Sequence, residues 1–321
     1  MIDPTPPEAA AADGQGTTTI ERAAQRLRAA SAPSRPQEPP EPSDNAGPTT
    51  RAEPNASEAC AEQSLDFAML MHAGFVTPQA DYATIAEEFR IVKRPLLLHA
   101  FGEDRKLPGN ANVVMVTSAR PGEGKTFTAC NLALSIALEQ EVRVLLVDAD
   151  ARHPSVLRVL GLTPRRGLTD LLNRPGDGPA SALIRISNLA NLSVIGAGAA
   201  DPRTPELFAS QRMGSLLDGL AARDPRRIVI IDTPPALASS EPSVIALHAG
   251  QSVVVVEAER TPSRAVQTAL ALIARCPRIQ LVLNKSRLGF GGEEFGNYGY
   301  GYAYGQAYRA RRTPDPAREP A

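Results

Sequence analysis

The chain has no tryptophan, few other aromatics, few cysteines and almost no net charge. Each shortage excludes something. Three cysteines, Cys60, Cys130 and Cys276, stand far apart without metal-ligand spacing, so neither a disulfide framework nor a cysteine metal site is expected. A formal net charge of −1 argues against a nucleic-acid binder that works by neutralising phosphates. No apolar run approaches the length needed to span a bilayer. The opening MIDPTPPEAAAADG lacks the basic and apolar regions of a secretory signal, so the expectation is a cytoplasmic protein.

What is present is unevenly distributed. Ten of the 29 prolines precede residue 61, in a stretch rich in Ala, Ser and Glu. Residues 1–62 are therefore expected to be disordered, because they bury too little apolar surface to offset ordering entropy. One island interrupts them. Thr18 and Glu21 have capping-box spacing ahead of Ile20, Ala23, Ala24 and Leu27, which predicts a short helix near 18–30. Residues 289–321 form a Gly-rich tail holding Tyr298, Tyr300, Tyr302, Tyr304 and Tyr308, five of the six tyrosines in the chain.

Between these ends lies a folded domain, 63–288. Residues Tyr82–Arg94 predict a helix, stopped or restarted by Pro95, with Ile85, Phe89 and Val92 on one stripe. Apolar runs at Val113–Thr117, Val142–Val147, Leu192–Ile195, Ile228–Ile231, Ser252–Val256 and Gln280–Leu283 alternate with helical patterns. Near-continuous apolar strands separated by helices predict an α/β fold, a doubly wound and mostly parallel sheet with helices on both faces. In such sheets ligands bind beyond the carboxyl ends of the strands.

Those ends carry the chemistry. The first strand runs into Ala119-Arg-Pro-Gly-Glu-Gly-Lys-Thr126 and then a helix. Backbone amides of such a loop converge with the helix dipole on one point, which is a phosphate site. Pro121, Gly122, Glu123, Gly124, Lys125, Thr126 and Phe127 are the expected nucleotide-binding residues, with Lys125 on phosphate oxygens and the Thr126 hydroxyl on Mg²⁺. Ala119 stands where the usual pattern has glycine. Two further strands end in acids, Asp148-Ala-Asp150 and Asp232-Thr-Pro-Pro235. The second has the form of a metal-holding strand end. Asn284-Lys285 closes the last strand, but Arg287 replaces the aspartate of a guanine reader, so Asn284 is expected at adenine or simply at a strand end.

Together these motifs resemble the bacterial tyrosine kinases of polysaccharide synthesis, most closely the exosortase-associated tyrosine autokinases, over roughly residues 80–308. Thr117–Thr126 is similar to their Walker A segment, Leu145–Pro154 to their Walker A′, Ile230–Pro235 to Walker B, and Pro202–Ser210 to their N-P-x-E-L-L-x-S segment. The resemblance implies a P-loop NTPase fold and an ATP- and Mg²⁺-dependent autokinase. Lys125 would serve the phosphates, Asp148 would be the base for the tyrosine phenol, and Thr126, Asp150 and Asp232 would hold the metal. Tyr298, Tyr300, Tyr302, Tyr304 and Tyr308 would be the modified residues. Glu87, Arg90 and Lys93 resemble a ring-forming E-x-x-R-x-x-R motif with Lys in the last place, implying a homo-oligomer. A transmembrane polysaccharide co-polymerase adaptor at the inner face of the membrane is the implied partner. Sugar-nucleotide enzymes or glycosyltransferases are further implied substrates, and nucleic acid is not. The runner-up readings are a partitioning-type switch ATPase, against which Arg120 replaces the signature Lys, and a kinase-dead scaffold.

Overall fold

The computed structural model describes residues 60–79, 84–102, 110–174, 176 and 178–286. The expected helix near 18–30 and the tyrosine tail lie outside the described residues. In chain order the elements are β1 (Ala61–Gln63), α1 (Phe67–His72), α2 (Thr84–Phe101), β2 (Val113–Ser118), α3 (Lys125–Ala137) and β3 (Arg143–Asp148). There follow α4 (Val156–Val159), α5 (Leu168–Asn173), β4 (Leu183–Ile186), β5 (Leu192–Ile195), α6 (Thr204–Phe208) and α7 (Gln211–Ala222). The last are β6 (Arg227–Asp232), α8 (Glu241–Ile245), β7 (Gln251–Glu257), α9 (Ser263–Leu272) and β8 (Ile279–Asn284).

The strands form one 8-stranded sheet in the order β1-β4-β5-β3-β6-β2-β7-β8. All pairings are parallel except β4 with β5. The six strands read from sequence are all present within a residue or two. β1 and β4 are additional. They pair side by side at one edge and are only three and four residues long, too short to carry a periodic signal.

Strand alternation builds two cores. Val114, Val116, Val144, Leu146, Ile228 and Ile230 face α2 and α3, whereas Val113, Met115, Leu145, Val147, Val229 and Ile231 face α7 and α8. Both faces of the central strands are thus covered, which is why they read as unbroken apolar runs. The central helix α3 buries ten of its 13 residues, helped by small Ala129, Ala133 and Ala137 that let it lie close on the sheet.

The helix through Pro95 corrects the expected break. α2 is 18 residues long and runs on to Phe101. Proline removes one amide donor, which costs roughly 3 kcal/mol in a helix interior. The half beyond it buries Leu96, His99 and Ala100, and Gln251 Nε2 donates to the Leu96 carbonyl at 3.1 Å. Burial of that face outweighs the missing bond.

Candidate active site

The register places the chemistry. Asp148 at the end of β3 pairs with Asp232 at the end of β6, and Val116 of β2 pairs with Asp232 on its other side. Asp232 therefore stands beside the strand that leads into the phosphate loop, with Asp148 one strand further out. Asp150 lies just beyond the end of β3.

The loop between β2 and α3 is held open by left-handed glycines. Gly122 has φ +85 and Gly124 φ +97, angles that side-chain-bearing residues rarely adopt. A Cβ on Gly124 would also collide with Asn284 Nδ2, whereas Gly122 has open space around it. Glu123 is buried and accepts from the Arg120 amide at 2.8 Å and from the Thr261 hydroxyl, pinning the loop to the segment after β7.

Lys125 reaches into the acids. Its Nζ donates to Asp150 Oδ2 at 2.8 Å and lies 4.0 Å from Asp232 Oδ1. Thr126 Oγ1 donates to Asp232 Oδ2 at 2.7 Å and sits 3.1 Å from Ser155 Oγ. Asp232 Oδ1 is buried without a hydrogen-bond partner. Burial raises the Asp232 carboxyl to about 7, against the opposing pull of Lys125. Burial lowers the Lys125 pKa, but Asp232, Asp150 and Asp148 together leave it raised.

Asp148 has a different environment. Its Oδ1 accepts from the Asp150 amide at 3.0 Å, and its Oδ2 accepts from the Ser155 and Val156 amides, each at 3.0 Å. It ties the turn after β3 to the start of α4. Burial raises its pKa, and the three backbone donors partly offset that.

These groups suit a metal-bound nucleotide. A Thr hydroxyl, two carboxylates and an unpartnered carboxylate oxygen are hard oxygen donors of the kind Mg²⁺ takes. Among the described residues no group of three or more His, Cys, Asp and Glu forms a protein-only metal cage. A metal there would be completed by phosphate oxygens, beside a loop in which Gly122 has open space around it.

Three expected site residues make contacts of their own within the chain. Asn284 is a brace: its Nδ2 donates to the Glu123 carbonyl at 2.8 Å, and its Oδ1 accepts from the Lys285 amide at 2.8 Å. Both ends of the amide thus make one bond each within the chain, at the strand end where Asn284 was expected. Phe127 turns to Phe75, with ring centroids 4.9 Å apart. Lys93 is buried. Its Nζ donates to the Ser135 carbonyl at 2.7 Å and pairs with Glu139 at 2.6 Å, neutralising the carboxyl end of α3. Glu87 and Arg90 do pair with each other on the surface, at 2.8 Å. Lys285 and Glu123 were missed as loop supports. Lys285 Nζ donates to the Gly122 carbonyl at 2.7 Å, a bond to backbone that no side-chain pattern announces.

A family model described as NUBPL iron-transfer P-loop NTPase, of the ParA type, matches residues 109–286. The chain is 36% identical over 189 residues to the tyrosine-protein kinase YwqD of Bacillus subtilis strain 168, covering 58% of this chain and 77% of that one. The chain belongs to the bacterial tyrosine kinases. Among P-loop NTPases these kinases share the ParA-type sheet seen here, and nucleotide binding comes with the fold. The crystal structure of the VpsO kinase domain superposes on this kinase with a TM-score of 0.53 at 28% identity, covering 63% of this chain and 96% of that one. The succinoglycan biosynthesis transport protein ExoP of Rhizobium meliloti strain 1021 is 30% identical over 246 residues, 73% of this chain and 29% of its own length. The chain spans less than a third of the length of several curated relatives it matches.

Proposed function

We propose that the chain is an ATP-dependent protein-tyrosine autokinase that modifies its own C-terminal tyrosine cluster in trans and thereby regulates exopolysaccharide polymerisation and export. The observation that carries this reading is Lys125 held between Asp150 and Asp232 at the mouth of a phosphate loop, in a chain whose tail presents five tyrosines.

Bound Mg-ATP would supply the phosphoryl group and its activating metal. The protein's own work is positioning and charge placement. Lys125 would turn from its carboxylate partners to phosphate oxygens. Thr126, Asp150 and Asp232 would hold the metal through oxygen donors. The loop around Gly122 and Gly124 would present backbone amides to the phosphates. A phenol of pKa about 10 needs a proton acceptor within hydrogen-bond reach. Asp148 serves as that base through the acceptor capacity that its three amide bonds leave free, and its raised pKa makes it the better acceptor.

The tail can reach a neighbour. Residues 286–308 extend to roughly 70 Å at about 3.3 Å each. Glu87 and Arg90 lie on the exposed face of α2 and offer a contact between copies. No helix among the described residues is long and apolar enough to cross a membrane. A transmembrane co-polymerase adaptor would bring the kinase to the cytoplasmic face, and the name of ExoP supports a place in polysaccharide transport.

Transfer in trans has a direct test. The Asp232→Asn chain, unable to hold the metal, serves as acceptor and is distinguished by mass from an active chain lacking its tail tyrosines. Phosphate is expected on Tyr298–Tyr308 of the acceptor. Its absence there, with active wild-type chains still labelling themselves, would show transfer in cis.

A further inference from the structure

Glu241 takes part in nothing described so far. It opens α8, is 2% exposed, and its Oε2 has no partner. Its other oxygen lies 3.9 Å from Arg152 Nε. A buried carboxylate without full compensation is costly to keep. It stands immediately after the loop that follows Asp232, while Arg152 stands two residues beyond Asp150. The two loops follow neighbouring strands, β6 and β3. The pair therefore bridges two of the segments that frame the phosphoryl site.

The strand order gives that bridge a side. β2, which feeds the phosphate loop, lies on the far side of β6 from β3, with β7 and β8 beyond it. Asn284 and Lys285 brace the loop from the β8 side. Arg152 and Glu241 occupy the opposite flank. The Arg152 side chain is 60% exposed, and with its Nε edge toward Glu241 the rest of the guanidinium fork remains available to a planar anion.

The tail carries a matching anion. Glu293 and Glu294 stand five and four residues before Tyr298. Four extended residues span about 13 Å. We propose that Arg152, oriented by the buried Glu241, is an acceptor-recognition site that takes the Glu293–Glu294 carboxylates of a second copy's tail and so delivers the following tyrosines to the phosphoryl site. This rests on the kinase reading above. Arg152 is the specificity-determining contact and Glu241 a positioning residue.

The test reads binding, not transfer. A fluorescent peptide of residues 287–308 is titrated into the full chain carrying Glu293→Gln and Glu294→Gln, so that the host's own tail does not compete, with Mg²⁺ and a non-hydrolysable ATP analogue. The native peptide is expected to bind about 3- to 10-fold more tightly than its Gln/Gln version, as charge-assisted bonds allow. Arg152→Ala, a change at an exposed side chain, should abolish that difference. Glu241→Gln should shrink it, and in both variants binding of the Gln/Gln peptide should stay unchanged, which a general loss of folding could not imitate. Arg152→Glu should turn the preference toward a Lys/Lys peptide. Equal binding of both peptides to the unaltered site, or a preference that survives Arg152→Ala, overturns the proposal. Failure of phosphotyrosine to form, with the peptide preference intact, would instead remove the kinase reading and leave the recognition site standing.

Discussion

Replacing Lys125 by Met lowers the unfolding midpoint of the nucleotide-free chain by roughly 6–20 °C near neutral pH and reduces phosphoryl transfer at least ~1,000-fold. Both effects come from one charge. Without nucleotide, Lys125 is the cation that compensates Asp150 at 2.8 Å and Asp232 at 4.0 Å, both deeply buried. Removing one partner of a buried pair costs about 3–5 kcal/mol, because the other charge is left uncompensated. For a domain of this size each kcal/mol moves the midpoint by about 2–4 °C. Asp232 can escape part of the penalty by protonation, so the loss should shrink as pH falls below its value of about 7. In transfer, Lys125 neutralises charge on the phosphoryl oxygens, a preorganised interaction of the strongest kind in such sites. Scanning calorimetry at two pH values and a phosphotyrosine assay separate the two losses. A midpoint unchanged at pH 8 would contradict the ion-pair account.

Asp232→Asn has the opposite signature: a more stable chain that is inactive. The Asp232 carboxyl is raised to about 7 in the folded state, chiefly by burial, against about 3.9 in the unfolded chain. Between those values the folded state holds a proton that the unfolded state has lost, so stability falls as pH rises through this window. Above pH 7 the full cost of the buried charge is present. Below about 4 both states are protonated and the cost vanishes. Asn carries no charge and avoids it at every pH. The variant should exceed wild type by on the order of 2–4 kcal/mol at pH 8, with the gap closing toward pH 4. Mg-nucleotide should reverse the ranking, because only the carboxylate gains a metal. Equal stability of the two chains at pH 8 would show that Asp232 is not strained by burial.

The positions of Asp232 and Lys125 were legible in sequence because they rest on local patterns. An apolar strand ending in Asp, and a glycine loop ending in Lys-Thr, each say where the side chain stands relative to the sheet. The two-sided core was legible for the same reason, since β2, β3 and β6 are continuous apolar runs. Pro95 was misjudged, and the contacts of Lys93 and Asn284 went unread, because their settings are tertiary. Pro95 is tolerated because of what Leu96 and Ala100 bury. Lys93 is drawn inward by the carbonyl of Ser135, 42 residues away. Asn284 meets the carbonyl of Glu123, 161 residues away. Glu241 has no local pattern at all, and its meaning comes only from the unpartnered oxygen that folding leaves on it.

The most direct measurement is to incubate the purified full chain with Mg-ATP, in the presence of the adaptor's cytoplasmic segment, and to map phosphorylated residues by mass spectrometry. Phosphate on tyrosines among Tyr298, Tyr300, Tyr302, Tyr304 and Tyr308, absent from the Lys125→Met chain, is the predicted result. A chain that binds Mg-ATP yet leaves all five phenols unmodified would contradict the account.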